Sequence, residues 1–332
     1  MKYSSKMLFM FTLIISTFMV ISSSNWMSMW MGLEINLMAF SPLISKAKNT
    51  PMSESCMMYF LVQVLGSALF LLSITHNMMN MNWMMTMNWT TTIMTLSILI
   101  KTGTPPFHMW VPMTMEKMSW NNCLLLMTWQ KIAPMFILTN ITKYSLFPMI
   151  IIMAVWVGAI GGLNQSSLRK MMAYSSMNHT GWMLACIMMS NNLWMIYISI
   201  YSINTLMMIY FFKKENLFFI NQVPSKNLTL IMKMNLIMIF MSMGGLPPFL
   251  GFMPKWMVIN LMMNMNTFLT TFIMVMMSLI TLFYYIRIVA PLIIMNSSSS
   301  KWKSPVKNSL LMPIIFMMLT SFMLPIMYLL NM

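Results

Sequence analysis

Glu34, Lys101, Lys131 and Lys255 each fall near the middle of a long apolar stretch, in a 332-residue chain with four acidic side chains and no aspartate. An ionised side chain at the centre of a bilayer costs ~3 kcal/mol on insertion scales, so such residues pair or face a water-filled path. One carboxylate cannot neutralise three ammonium groups. At least one lysine is therefore expected to exchange its proton, with Glu34 holding a nearby lysine charged when close and favouring release when it moves away. Histidine would complete such a relay, since its unperturbed pKa is ~6.5. His179 lies in Ser175-Ser176-Met177-Asn178-His179, where small polar side chains can hold water, and His108 follows Phe107 shortly after Lys101. The histidines could instead simply bond a helix carbonyl. Proton transfer is the chemistry these residue types suit.

Two of the lysines stand at a repeated motif. Pro105-Pro106-Phe107 is followed by Pro112, and Pro247-Pro248-Phe249 by Pro254, so both read PPF-x4-P. Gly103 precedes the first and Gly244-Gly245 the second; Lys101 lies just before one break and Lys255 just after Pro254. A double proline removes two backbone donors and clashes with the preceding turn, so each helix is expected to break there. Paired, proline-interrupted spans in two halves of a chain point to a transport site near the bilayer midplane. Two unrelated proline kinks are the plainer alternative, which the matched spacing disfavours.

The elements that must position these groups are membrane helices. Of the residues, 59% are hydrophobic and 7% charged, with mean hydropathy +0.75. A soluble domain is about half apolar and roughly a quarter charged, so a soluble enzyme is excluded. Apolar runs predict eleven spans, at about 6–23, 26–44, 55–75, 89–115, 120–140, 146–165, 168–190, 193–212, 229–262, 266–294 and 309–330. All are read as helices, because a backbone in lipid must satisfy its own hydrogen bonds. The expected fold is an all-α polytopic protein, one membrane domain over 1–332. Its first repeat half, 1–140, holds the broken helix 89–115; the second, 146–294, holds the broken helix 229–262; a C-terminal helix follows at 309–330. The broken helices are five spans apart, an odd offset, so the repeat is expected to be inverted.

Basic residues fix the orientation. Lys2, Lys6, Lys46, Lys48, Lys117, Arg169, Lys170, Lys213, Lys214, Lys226, Lys301, Lys303 and Lys307 fall on the N-terminal side of this arrangement, and only Lys143 on the other. That bias places the N-terminus on the cytoplasm-like side, the matrix side in a mitochondrion. The net charge of +15 then reads as topology, with anionic lipid headgroups as neighbours and no need for nucleic acid. Lys233 stands close enough to a span end to snorkel, and Arg287 is placed on neither reading.

Cys56, Cys123 and Cys186 have no metal-ligand spacing and read as small buried hydrophobes. The 55 methionines are spread through every span in place of leucine or isoleucine, a usage typical of an AT-rich mitochondrial genome. No phosphate-binding glycine loop, paired carboxylates or large extramembrane segment is present, which argues against ATP-driven pumping by this chain alone.

At these motifs the chain resembles the antiporter-like membrane-arm subunits of respiratory complex I, chain 2 of mitochondrial NADH:ubiquinone oxidoreductase in particular. The resemblance rests on Leu33-Glu34-Ile35-Asn36, Lys101-Thr-Gly-Thr-Pro-Pro-Phe-His-Met-Trp, Trp129-Gln130-Lys131-Ile132-Ala133-Pro134, Gly162-Leu-Asn-Gln-Ser-Ser-Leu-Arg-Lys, Tyr174-Ser-Ser-Met-Asn-His-Thr-Gly-Trp and Gly244-Gly-Leu-Pro-Pro-Phe-Leu-Gly-Phe-Met-Pro-Lys-Trp. These run in order from about residue 26 to 260; the C-terminal quarter is similar only in hydropathy. The resemblance implies that Glu34 pairs with Lys101, that Lys131 is the central relay lysine, that His179 lies on a hydrated axis and that Lys255 faces an exit half-channel. It implies a mitochondrial inner-membrane location and, as partners, the other membrane-arm subunits and membrane lipids, cardiolipin as a candidate. NADH, FMN, iron–sulfur clusters and ubiquinone are expected on other subunits, and no cofactor or metal in this chain. A stand-alone cation/proton antiporter would use the same broken helices, and a purely structural subunit would use the charges only to lock helices together.

Overall fold

In the computed structural model the described residues are 3–45, 49–79, 84–141, 147–189, 192–225 and 230–294. The expected span 309–330 lies outside them, as do Lys2, Lys46, Lys48, Lys143, Lys226, Lys301, Lys303 and Lys307. The described residues are all-helical, save an isolated bridge between Ser167 and Phe219. The chain packs as two units, Met1–Ala154 and Val155–Met332.

The first unit begins with α1 (Tyr3–Ser22), α2 (Trp26–Ile44) and α3 (Thr50–Met79). The fourth expected span is two helices, α4 (Met84–Thr102) and α5 (Trp110–Lys117), separated by the double proline as expected. The fifth is also two, α6 (Trp120–Met127) and α7 (Trp129–Thr139), a break that the apolar run 120–140 does not announce. Thr128 stands between them, with φ −111° and ψ −73°. Pro134 contributes to this irregularity: it lacks an N–H for the Gln130 carbonyl and its ring crowds that carbonyl. The Lys131 amide meanwhile bonds the Thr128 carbonyl, three residues back, at 3.3 Å. α8 (Phe147–Leu163) carries the boundary between the units.

The second unit continues with α9 (Leu168–Met189), α10 (Leu193–Lys214), the short α11 (Gln222–Ser225), α12 (Leu230–Gly244), α13 (Phe252–Asn264) and α14 (Phe268–Ile294). α12 and α13 are the two halves of the ninth expected span, again parted at the double proline. Nearly every residue of α9 from Leu168 to Ile187 is buried, including Ser175, Ser176, Asn178, His179 and Thr180. This polar helix has α10, α13 and α14 packed around it.

The pattern of exposure is the reverse of a soluble protein's. Phe272, Leu279 and Phe283 of α14 stand outward, whereas Thr281, Tyr284 and Tyr285 of the same helix face in. Lipid makes no demand for polar groups outside, and buried polar groups find partners or water inside. Ser4–Ser22, Thr50–Met79, Leu193–Lys214 and Phe268–Ile294 are long and apolar enough to cross a membrane unbroken. The chain is thus an all-α membrane protein with several apolar spans.

Candidate functional site

Both proline breaks are built on the same backbone turn. At the first, Gly103 adopts φ +69°, its N–H reaches the Ile100 carbonyl at 3.2 Å, and the Thr104 N–H reaches the Leu99 carbonyl at 3.1 Å. At the second, Gly245 adopts φ +78°, bonding Ser242 at 3.1 Å, and Leu246 bonds Met241 at 3.3 Å. This is the Schellman arrangement that closes a helix with a left-handed glycine, and it explains why a glycine precedes each proline pair.

The carbonyls freed at the end of α4 are taken up by neighbours. The Trp110 indole N–H donates to the Ile100 carbonyl at 3.2 Å, and Gln63 Nε2 donates to the Lys101 carbonyl at 3.1 Å. Gly66 lets α3 approach there: a Cβ at that position would stand 3.0 Å from Lys101 Cγ and 3.2 Å from the Ser97 carbonyl. Lys101 is therefore held in the last turn of α4, the helix end whose dipole favours a cation.

Lys101 and Lys131, 7% and 4% exposed, line one small cavity with a volume of about 20 Å³. Asn36, Gln63, Thr102 and Gln130 give it polar walls; Tyr59, Trp110 and Pro134 are also at its edge. The break at Thr128 precedes the stretch that presents Gln130 and Lys131 to this cavity. From α2 the lining residues are Leu33, Asn36 and Leu37, one helical stripe, so Asn36 is the polar side chain that α2 turns to the cavity. Glu34 stands half-buried beside that stripe and acts on Lys101 through space, without a contact ion pair. Lys117 forms an ion pair with Glu54, joining α5 to α3.

In the second unit Lys255, 4% exposed, reaches back across its break and donates to the Gly244 carbonyl at 2.8 Å. Its ammonium lies 5.7 Å from the centre of the Trp182 ring, a cation–π distance. His179, on α9, has its Nδ1 2.9 Å from the Tyr197 hydroxyl, with the Tyr201 ring 4.8 Å from its own. Asn178 donates to Thr281 at 3.4 Å, and Tyr284 and Tyr285 stack edge-on at 4.7 Å. His179 thus meets the Tyr197 hydroxyl and the Tyr201 ring, on a helix that also buries Asn178 and Thr180. His108 is half-buried, its Nδ1 3.2 Å from the Pro106 carbonyl two residues back.

Sequence reasoning found the lysines, Glu34 and His179 because charge and imidazole are conspicuous in apolar runs. It gave no role to Asn36, Gln63 or Tyr197, whose signal is only a single polar residue within a span. Arg287 turns out to close a helix end, donating to the Leu163 carbonyl and, at 3.0 Å, to the Gln165 carbonyl. Among the described residues no three His, Cys, Asp or Glu side chains come together as a metal set.

The sequence matches the family described as NADH:quinone oxidoreductase/Mrp antiporter, transmembrane, over residues 23–281. It is similar to NADH-ubiquinone oxidoreductase chain 2 of Locusta migratoria, 40% identical over 96% of this chain and 94% of the relative. The protein of that name from Anopheles gambiae is 41% identical, over 91% of this chain and 90% of its own. Among solved structures, a chain of respiratory complex I from Thermus thermophilus superposes with TM-score 0.82 at 16% identity, covering 94% of this chain and 75% of that one. A chain of the Mrp complex from Dietzia superposes with TM-score 0.73 at 13% identity, covering 90% and 61%. At these identities the structural likeness is one of fold.

Proposed function

The chain belongs to the NADH-ubiquinone oxidoreductase chain 2 family, and from that premise we propose how its buried basic groups move protons. It is a membrane subunit of complex I that takes part in antiporter-like proton translocation. Glu34, Lys101, Lys131, His179 and Lys255 are the proton-carrying set, with His108 an accessory at the first break. The observation that carries the assignment is the shared cavity: Lys101 and Lys131 lie on different helices yet line one polar space.

A proton passes from the Lys101 ammonium through water in that space to the amine of Lys131. A carboxylate near Lys101 holds the proton there; Glu34 moving away, driven from elsewhere in the complex, releases it. In the second unit His179 takes up and releases protons beside the Tyr197 hydroxyl, and Lys255 does so beside the Gly244 carbonyl. Electron transfer from NADH through FMN and iron–sulfur clusters to ubiquinone is assigned to other subunits. Eleven spans in an inverted repeat, one membrane domain, a mitochondrial inner-membrane location, a matrix-side N-terminus and lipid neighbours including cardiolipin complete the reading.

Lys131→Met in the intact complex is expected to cut NADH-driven proton translocation by ~100-fold while the complex still assembles. Translocation at the unsubstituted rate, measured by pH-dye quenching in proteoliposomes, would remove Lys131 from the path. Cation/proton exchange by the isolated chain in liposomes would favour a stand-alone antiporter instead.

A further inference from the structure

We propose that Asn36 and Gln130 together hold an ordered water that bridges Lys101 and Lys131, making the two amides positioning residues of the proton path. The inference rests on the function proposed above and adds two residues to it.

Asn36 Oδ1 and Gln130 Nε2 are both buried and neither has a hydrogen-bond partner in the protein. Asn36 is 3% exposed. A buried amide group left unsatisfied forfeits its hydration with nothing in return, so two in one place call for an explanation. Both residues line the cavity that Lys101 and Lys131 line. One orphan is an acceptor and the other a donor. Were they in reach of each other they would pair directly; they share a polar space without doing so.

Water satisfies both at once. It donates one hydrogen to Asn36 Oδ1 and accepts from Gln130 Nε2, leaving one hydrogen and one lone pair. The free lone pair accepts from a lysine ammonium, and the free hydrogen points to the neutral amine of the other lysine. A proton then moves by the usual exchange: the ammonium gives its proton to the water oxygen as the water gives one of its own to the amine. Charge and atoms balance, and the bridge is restored when the water turns. The polar walls and the cavity volume of about 20 Å³, room for about one water, meet the requirement for buried water, which needs two to four polar partners. Local structure places the pair. Asn36 falls on the Leu33–Leu37 stripe of α2, and Gln130 follows the break at Thr128, beside Lys131.

The test uses the intact complex in its membrane. Asn36→Leu and Gln130→Met each remove one anchor at similar volume; each is expected to lower proton translocation per NADH by ~10-fold with assembled complex unchanged. Asn36→Ser, which keeps an acceptor and leaves room for water, is expected to restore it to within ~2-fold. The double variant should be no worse than the poorer single one, because one water is lost either way. Normal translocation in an assembled Asn36→Leu complex overturns the proposal. So does a map that resolves midplane waters but shows none within hydrogen-bonding distance of both amides, a readout that holds even if Asn36→Leu fails to assemble. Lys131→Met separates the two ideas. If it pumps normally the proton-path reading fails; if it is blocked while Asn36→Leu pumps normally, only the bridge fails.

Discussion

Superimposing the two PPF-x4-P motifs pairs Gly103 with Gly245 and Pro112 with Pro254, but it does not pair the lysines. Lys101 falls opposite Met243, and Lys255 opposite Met113. The backbone turn is common to both breaks. What differs is the half-helix that supplies the ammonium and what meets it there. Lys101 belongs to the incoming helix; its carbonyl is bonded by Gln63 and its charge feels Glu34. Lys255 belongs to the outgoing helix, folds back onto the Gly244 carbonyl and lies over Trp182. The repeated motif thus fixes where a helix ends, and the lysine's position decides which groups meet its ammonium. At the first break the charged neighbour is a carboxylate on another helix. At the second the lysine meets a backbone carbonyl within the same broken helix.

The sharpest way to break this comparison is at Lys255. Arginine can keep the bond to the Gly244 carbonyl but does not deprotonate at physiological pH. Lys255→Arg is therefore expected to leave assembly intact and to lower proton translocation by ~100-fold, the same loss expected of Lys255→Met. If Lys255→Arg pumps normally, the lysine is only a helix cap and the two breaks are alike in structure alone.

The glycines come next. Alanine at either left-handed position costs ~1–2 kcal/mol of backbone strain, which should lower complex yield in both Gly103→Ala and Gly245→Ala. A Cβ at Gly245 would also stand 2.8 Å from Lys255 Nζ, whereas one at Gly103 would meet Val111 Cγ2 at 2.2 Å and the Trp110 ring at 3.1 Å, away from the lysine ammonium. Pumping per assembled complex should consequently fall further in Gly245→Ala, and equal losses would refute the difference in lysine placement.

A smaller effect is expected from Glu34→Gln, ~5-fold on translocation, the low end of coupling between sites. The loss should vanish in a Lys101→Met background and persist beside Lys255→Arg, a double-mutant comparison that asks which break Glu34 serves. Smallest of all is Glu54→Gln, which breaks the partly exposed pair with Lys117 next to the first break. Such pairs contribute ~0–1 kcal/mol, so thermal stability should shift little and pumping not at all.

How much of this was legible in the sequence depends on the kind of feature. The helix endings at 102 and 244 were, because glycine followed by two prolines leaves the chain few other conformations. The break at Thr128 was not: no glycine or proline adjoins it, and Pro134 lies in the next helix. Glu34 drew attention because a charge in an apolar run is costly, yet Asn36 is the residue that α2 turns to the cavity. That depends on the rotation of α2 about its axis, which Gly32 helps set by allowing close contact with α1 near Val20. Tyr197 carried little sequence signal, being one of ten tyrosines with nothing to set it apart.

The sequence by itself determined that the chain is helical, belongs in a membrane, breaks twice at matched motifs and carries costly lysines within its spans. Those outcomes follow from local rules: lipid offers the backbone no hydrogen bonds, and proline and glycine act on their own turns. Only the tertiary structure decided that Lys101 and Lys131 share a cavity, that Asn36 and Gln130 join them, and that Lys255 answers to a carbonyl instead of a carboxylate. Between helices in lipid the hydrophobic effect gives little direction, so rotation is set by close packing and a few polar contacts between residues far apart in sequence.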